Sequence, residues 1–174
     1  MSDKSALEIL RLTPRLTRAL GELFREILER GDDRFFNPHP FTQEQATAIC
    51  TYAGRDEYYG VVSEDRIVGY GMLRGWDEGY EIPSLGIYIR AEARGRGLGE
   101  LLMGRLHTAA SVRGATRIRL KVDRRNHVAR NMYEKLGYTF RTREGEQLVG
   151  YCMISPMGTG TDGRETRDRD FGEL

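Results

Sequence analysis

Cysteine is scarce in this 174-residue chain: Cys50 and Cys152 are the only two, far apart in sequence. They fit no redox or metal-ligand spacing, so neither a disulfide scaffold nor a zinc site is expected, and two reduced thiols are. The three histidines, His39, His107 and His127, also lack ligand spacing, and no metal is expected. An excess of one charge is missing too. The formal net charge is +1 although 30% of the residues are charged, which removes any broad pull toward nucleic acid or an anionic membrane. No apolar run approaches the roughly 20 residues of a membrane span, and the polar N-terminus does not read as a secretory leader. One cytoplasmic domain, long enough to bury a core, is the expectation. Two phosphate-binding signatures fail as well. There is no Gly-x-x-x-x-Gly-Lys-Ser/Thr, which argues against a P-loop enzyme. A dinucleotide loop would need a third glycine where Glu100 stands. Asp123, at the end of the next expected strand, leaves that reading open as a ribose-binding acid.

What is present is Ile87-Tyr88-Ile89-Arg90-Ala91-Glu92-Ala93-Arg94-Gly95-Arg96-Gly97-Leu98-Gly99. It reads as an apolar strand, a turn with glycine at every second position, and a helix starting at Leu98. Glycines let the backbone approach a ligand closely. A helix start offers unpaired N–H groups and a dipole that favours negative charge. The three parts together predict a phosphate or pyrophosphate pocket.

Around this stretch the apolar pattern alternates between strand and helix periods. Leu7 to Leu12 predicts a strand. Thr13-Pro14 predicts an N-cap and first turn for a helix carrying Leu16, Leu20, Leu23, Phe24, Ile27 and Leu28, stopped at Gly31. Prolines 38 and 40 keep Asp32 to Pro40 out of a helix. Thr42 and Gln45 predict a capped short helix to about Tyr52. Glu57 to Ser63 and Arg66 to Leu73 predict a hairpin; Gly69 and Gly71 weaken its second strand and allow close approach. The strand entering the glycine loop carries Pro83 near its start, which suggests a bulge or an edge there. Leu98, Leu101, Leu102, Leu106, Ala109 and Ala110 predict a helix ending at Gly114. Thr116 to Val122 predicts a strand whose outward row of Arg117, Arg119 and Lys121 reads most simply as a solvated face, with contact to a ligand phosphate as the alternative. A helix from Asn126 to Leu136 stops at Gly137, and Tyr138 to Arg143 with Gln147 to Ser155 predicts a last hairpin. The order β-α-α-β-β-β-α-β-α-β-β gives an α/β fold: a mixed sheet with helices on both faces. The domain is expected to span residues 1–156. Residues 157–174, rich in Gly, Thr and mixed charge, are expected to be a disordered tail.

Two motifs agree with each other. Arg94-Gly95-Arg96-Gly97-Leu98-Gly99 fits Arg/Gln-x-x-Gly-x-Gly/Ala, and resembles the acyl-CoA loop of the GCN5-related N-acetyltransferases (GNAT). One helix and one strand later, Asn126-His127-Val128-Ala129-Arg130-Asn131-Met132-Tyr133-Glu134-Lys135-Leu136-Gly137-Tyr138 resembles that family's second motif, Asn-x-x-Ala-x-x-x-Tyr-x-x-x-Gly-Phe/Tyr. Ala91 departs from a proline common there. The resemblance covers roughly Leu7 to Ser155. It implies an acyl-CoA N-acyltransferase fold and an acetyl-CoA-dependent N-acetyltransferase acting on a primary amine by direct transfer.

The resemblance implies roles residue by residue. Backbone groups of Ile87, Tyr88 and Ile89 would hold the pantetheine arm, and a backbone N–H between Leu85 and Ile89 would stabilise the oxyanion. Arg94, Gly95, Arg96, Gly97, Leu98, Gly99 and Glu100 would hold the pyrophosphate, chiefly through amides, and Asn126 would hydrogen-bond the cofactor. Tyr133 would be general acid to the leaving thiolate. An alkyl amine with a pKa near 10.4 needs a proton acceptor; Glu81 is the first candidate and His39 the second. Phe36, His39, Arg74 and Trp76 are candidate acceptor contacts, with Asp77 and Glu78 behind them. The acceptor is expected to be a small polar amine such as an amino sugar or antibiotic amine. A peptide or protein amine, and a non-catalytic CoA-binding regulatory domain, are the alternatives. Homodimerisation is common in the family and is left open.

Overall fold

A computed structural model describes residues 6–157. The expected tail lies outside the described residues except for Met157. Seven strands and four helices follow in the expected order: β1 Leu7–Arg11, α1 Thr17–Arg30, α2 Gln43–Cys50, β2 Glu57–Ser63, β3 Arg66–Arg74, β4 Ser84–Ile89, α3 Leu98–Val112, β5 Arg117–Asp123, α4 His127–Lys135, β6 Thr139–Glu144 and β7 Gln147–Met153. The sheet order is β1-β2-β3-β4-β5-β7-β6. Every neighbouring pair is antiparallel except β4 and β5, which are joined through α3 as a parallel crossover requires.

Two apolar layers sandwich this sheet. On one face Leu20, Leu23, Phe24 and Ile27 of α1 and Ala46 and Ile49 of α2 pack on Ile67, Tyr70, Met72 and Tyr88. On the other, Leu98, Leu102, Met103 and Leu106 of α3 and Tyr133 of α4 pack on Val68, Leu73, Leu85, Ile118 and Leu120. Gly71 is what lets α3 lie so close: a Cβ there would come within 3.1 Å of Leu102 and 3.0 Å of Leu106. A fully buried leucine of this kind contributes roughly 1.5–3 kcal/mol.

Local signals set most boundaries. Gly31 ends α1 in the left-handed region at φ 67°, and the Thr42 hydroxyl accepts from Gln45 N at 3.1 Å to cap α2. Three expectations need correction. Thr13 does not cap α1. Leu16 N donates to Thr13 O and the Thr17 hydroxyl to Pro14 O, so a tighter three-residue turn comes first and α1 begins at Thr17. Leu28 and Leu101 are 48% and 61% exposed, each on the outer edge of its helix stripe. Pro83 precedes β4 instead of lying within it.

Candidate active site

The decisive feature is a parting between β4 and β5. Only Ser84 with Arg119 and Leu85 with Leu120 are in register; beyond Leu85 the two strands separate. Along its other edge β4 stays paired with β3 as far as Ile89. Arg90 N donates to Val68 O. By the alternation of an antiparallel ladder, Gly86 and Tyr88 therefore direct their backbone groups at β3. Leu85, Ile87 and Ile89 direct theirs at β5. Leu85 is taken up by the short parallel ladder, and Arg94 Nε donates to Ile89 O at 2.9 Å. The N–H and C=O of Ile87 and the N–H of Ile89 remain facing the gap. Of the three strand residues expected to hold a cofactor arm, Tyr88 is the exception, because its backbone belongs to the β3 ladder.

At the end of β4 the chain passes through Ala91–Ala93 into the glycine loop. Gly95 and Gly97 have φ of 72° and 77°, a region that other residues occupy only under strain. A Cβ at either position would meet nothing within 4 Å. Backbone conformation, then, is what demands glycine here, and the space in front of the loop is open. The first intrahelical bond of α3 runs from Leu101 N to Gly97 O, so the amides of Leu98, Gly99 and Glu100 have no helical acceptor. Free amides at a helix start, with open space in front of them, fit a pyrophosphate. The two loop arginines differ. Arg94 is tied to Ile89 O and to Asp32 at 3.3 Å, whereas Arg96 is exposed and has no side-chain partner among the described residues.

The opposite wall is α4. Asn126 caps it, its Oδ1 accepting from Ala129 N at 3.2 Å, which leaves its side-chain amide N–H groups available. Met132 packs on the loop: a Cβ at Gly99 would lie 3.1 Å from its sulfur. The next residue, Tyr133, is 7% exposed. Its ring meets Tyr138 edge-on at 5.8 Å between centroids, and Tyr138 is in turn hydrogen-bonded to His107 Nε2 at 2.8 Å. Burial pushes the Tyr133 phenol well above its ordinary range, so it is protonated at neutral pH. Its hydroxyl has no hydrogen-bond partner among the described residues, leaving that proton free for a ligand. Asp123 is not free. Arg125 donates to both of its oxygens, through N, Nε and Nη2, and these bonds hold the carboxyl down at about 2. The carboxylate is buried and committed to Arg125 instead of being presented to a ribose, which weighs against the dinucleotide reading.

Across the sheet, the connection from α1 to α2 forms a roof. Phe36 lies over Gly86, where a Cβ would be 3.3 Å away. Phe35 lies beneath Arg125, 5.5 Å from centroid to guanidinium. The roof thus spans from β4 to the segment beyond β5. Asp32 anchors it, accepting from Tyr88 Oη at 2.8 Å and from Arg30 Nε at 3.2 Å. Burial raises that carboxyl, but the bonds from Tyr88 and Arg30 and the charge of Arg94 outweigh it and hold Asp32 below its usual value. Tyr88 is correspondingly pushed up to about 12, by burial and then by Asp32.

The candidate acceptor contacts separate under this roof. Phe36 and Arg74 border the parting. His39 does not present a free nitrogen. Its Nδ1 lies 2.8 Å from Pro40 O, a carbonyl that can only accept, so Nδ1 carries the proton and Nε2 accepts from the Tyr70 hydroxyl at 2.9 Å. Burial holds the ring neutral. Trp76 is 5% exposed and part of the core, with Arg113 over its ring at 5.4 Å. Its backbone N donates to the buried Asp56. A core position removes it from the acceptor contacts. Glu81 is exposed in the bend before β4. Phe35, Ser84, Arg119 and Arg125 also border this region. No motif marks them, since strand register and a loop crossing bring them there.

A sequence profile described as the Acetyltransferase (GNAT) family matches residues 21–138. The chain belongs to the GNAT acetyltransferase family. It is an N-acetyltransferase, and the family uses acetyl-CoA. Solved structures carry the same fold. A GNAT-family acetyltransferase from Streptococcus pneumoniae superposes with a TM-score of 0.73 at 19% identity, over 86% of this chain and 100% of that one. The PaiA N-acetyltransferase from Thermoplasma acidophilum, in complex with coenzyme A, gives 0.73 at 17% identity, over 86% and 99%. RimL, a ribosomal L7/L12 alpha-N-protein acetyltransferase in complex with coenzyme A, gives 0.72 at 14% identity, over 88% and 97%. GNAT enzymes act on small-molecule or on peptide and protein acceptors. No helix among the described residues is long and apolar enough to cross a membrane.

Proposed function

We propose that this GNAT enzyme transfers the acetyl group of acetyl-CoA directly to the primary amine of a small polar molecule, such as an amino sugar or antibiotic amine. The observation that carries the reading is the unpaired edge of β4 at Ile87 beside a protonated, unpartnered Tyr133. When bound, acetyl-CoA supplies an activated thioester. The C=O of Ile87 and the N–H of Ile89 would extend the β4 edge to the pantetheine amides. The amides of Leu98, Gly99 and Glu100, with Gly95 and Gly97 shaping the turn and Arg96 adding charge, receive the pyrophosphate. Asn126 offers its side-chain amide to the same ligand.

In the transfer, a bond forms from the amine nitrogen to the acetyl carbon and the bond from that carbon to sulfur breaks. The N–H of Ile87 would donate to the acetyl oxygen as negative charge develops there, a fixed donor that needs no reorganisation. Tyr133 gives its proton to the departing sulfur. The amine proton passes to Glu81 through water. Glu81 is chosen over His39 because both imidazole nitrogens are already occupied, by Pro40 O and the Tyr70 hydroxyl. A small acceptor is favoured over a protein segment because Phe35 and Phe36 roof the acceptor side from β4 to Arg125.

The test is calorimetric binding of acetyl-CoA, followed in the same sample by thiol release with amino sugars, polyamines and a peptide N-terminus. Tight binding with release accelerated by a small amine is expected. Release with the peptide alone would overturn the small-acceptor reading, and binding without release for any amine would point to a CoA sensor.

A further inference from the structure

A row of three side chains crosses the sheet where β4 and β5 begin to part. Arg74 of β3 pairs with Ser84 of β4, and Ser84 pairs with Arg119 of β5. Paired residues point to the same face. Their neighbours Leu73, Leu85, Ile118 and Leu120 all belong to the core against α3 and α4, so Arg74, Ser84 and Arg119 face the roofed side. With strands roughly 4.8 Å apart, the two arginine backbones stand about 10 Å apart with the serine between them. Both guanidinium groups can reach one small anion held over Ser84.

Arg74 is only partly satisfied by the protein, through Pro38 O and the Tyr58 phenol. It is half-buried and enters no ion pair among the described residues. Its Nη1 donates to Pro38 O of the roof at 2.6 Å. Its Nε is fully enclosed with no partner, and no other side-chain nitrogen or oxygen among the described residues shares that state. The nearby carboxylates are engaged elsewhere or too distant for a pair: Asp56 accepts from the Gly75 and Trp76 amides, and Glu78 is exposed in the following turn. A half-buried cation with an enclosed, unpartnered Nε and no counter-charge favours a ligand that supplies one. Ser84 adds a half-buried hydroxyl with no partner among the described residues. Arg119 is 24% exposed and paired at 2.5 Å with Glu144, which is itself 53% exposed and shared with Lys121. An incoming anion can share Arg119, because Glu144 is half-exposed and already divided between two cations.

We propose that Arg74, Ser84 and Arg119 form an anion subsite, and that the acceptor is an amine carrying a carboxylate or a phosphate-type group. Arg74 supplies the fork, Pro38 O orients it, and Ser84 and Arg119 close the cradle. Asp77, Glu78 and Glu81, in the turn and bend ahead of β4, bring negative charge to the side from which the cationic amine arrives. One molecule with both charges matches this polarity. The assignment of the anion to an acceptor rests on the acetyltransfer reading; the subsite itself does not.

The test uses the full chain loaded with CoA. Proteinogenic α-amino acids, O-phosphoethanolamine and the amino acids' methyl esters are titrated by calorimetry, and thiol release from acetyl-CoA is measured with the same set. At least one acid or phosphate compound should bind and turn over 10-fold or more better than its neutral counterpart. In Arg74→Gln that preference should collapse toward one through KM, with acetyl-CoA affinity retained as the check on folding. Arg74→Lys should restore part of it, and Arg119→Gln should lower it less. Anion-dependent binding without turnover supports the subsite and removes the acetyltransfer role. Turnover of neutral amines with no preference for the charged member overturns the subsite and leaves the acetyltransferase standing. No binding and no release across the set overturns both.

Discussion

The two sides of the β4–β5 parting are made of different material. The side facing α3 and α4 is backbone: unpaired groups of Ile87 and Ile89, a turn set by Gly95 and Gly97, and three free amides at the start of α3. The roofed side is built from side chains of distant segments: Phe35 and Phe36 from the connection after α1, Arg74 from β3, Ser84 from β4 and Arg119 from β5. Backbone recognition tolerates many side chains and suits a cofactor shared by a family. Side-chain recognition can be exchanged piece by piece, which suits an acceptor that differs between members. On the proposed reading, cofactor and acceptor are held on different sides of one strand by different kinds of groups.

That contrast can be broken from either side. The largest effect is expected at Tyr133. Tyr133→Phe should lower kcat about 10²-fold or more, the usual scale for a lost general acid, while calorimetry finds acetyl-CoA binding unchanged. Loss of affinity together with rate would mark a packing role instead. Next is Gly97→Val, which forces a β-branched residue to φ 77°. It should cost about 1–3 kcal/mol in strain and weaken acetyl-CoA binding at least 10-fold, without changing the order of preference among amines.

A smaller change is expected on the roofed side. Phe35→Ala removes the contact with Arg125 and should raise acceptor KM roughly 3- to 10-fold, as a cation–π contact of about 0.5–1 kcal/mol plus lost roof area would; acetyl-CoA affinity should hold. If both ligands weaken alike, the two sides are not separable. The smallest effect is on stability. Burial holds the imidazoles of His39 and His107 below their ordinary value, so the unfolded chain takes up protons more readily than the folded one. Their contribution is present above a pH of about 6.5 and is lost as the pH falls below it. Melting temperature should drop between pH 7 and 5, and less so in the double variant His39→Gln, His107→Gln.

The same contrast explains what could be read from the chain. Gly95, Gly97, Asn126 and Tyr133 sit within two continuous motifs, and their requirements are local: left-handed φ, a helix cap, a fixed turn. Apolar periodicity, together with cap and turn residues, likewise located the eleven strands and helices, with shifts of a few residues at their ends, as at Thr13. Arg119 looked like one member of a solvated basic row. Only the register that aligns it with Ser84 and Arg74 gives it company, and register is a property of three strands together. Trp76 and His39 misled for a related reason. Both lie beside segments that border the acceptor side, but Asp56 turns Trp76 into the core, and Pro40 O with Tyr70 closes both nitrogens of His39. Tyr88 sits in the right strand, yet alternation gives its backbone to β3.

Residue-resolved amide exchange along β4, with and without acetyl-CoA, tests the central claim most directly. Ile87 N–H faces the gap and should become strongly protected on binding, together with Leu98, Gly99 and Glu100. Tyr88 N–H, already committed to Tyr70, should change little. Equal protection of Ile87 and Tyr88, or none at Ile87, would contradict the assignment of the parted strand edge as the cofactor's seat.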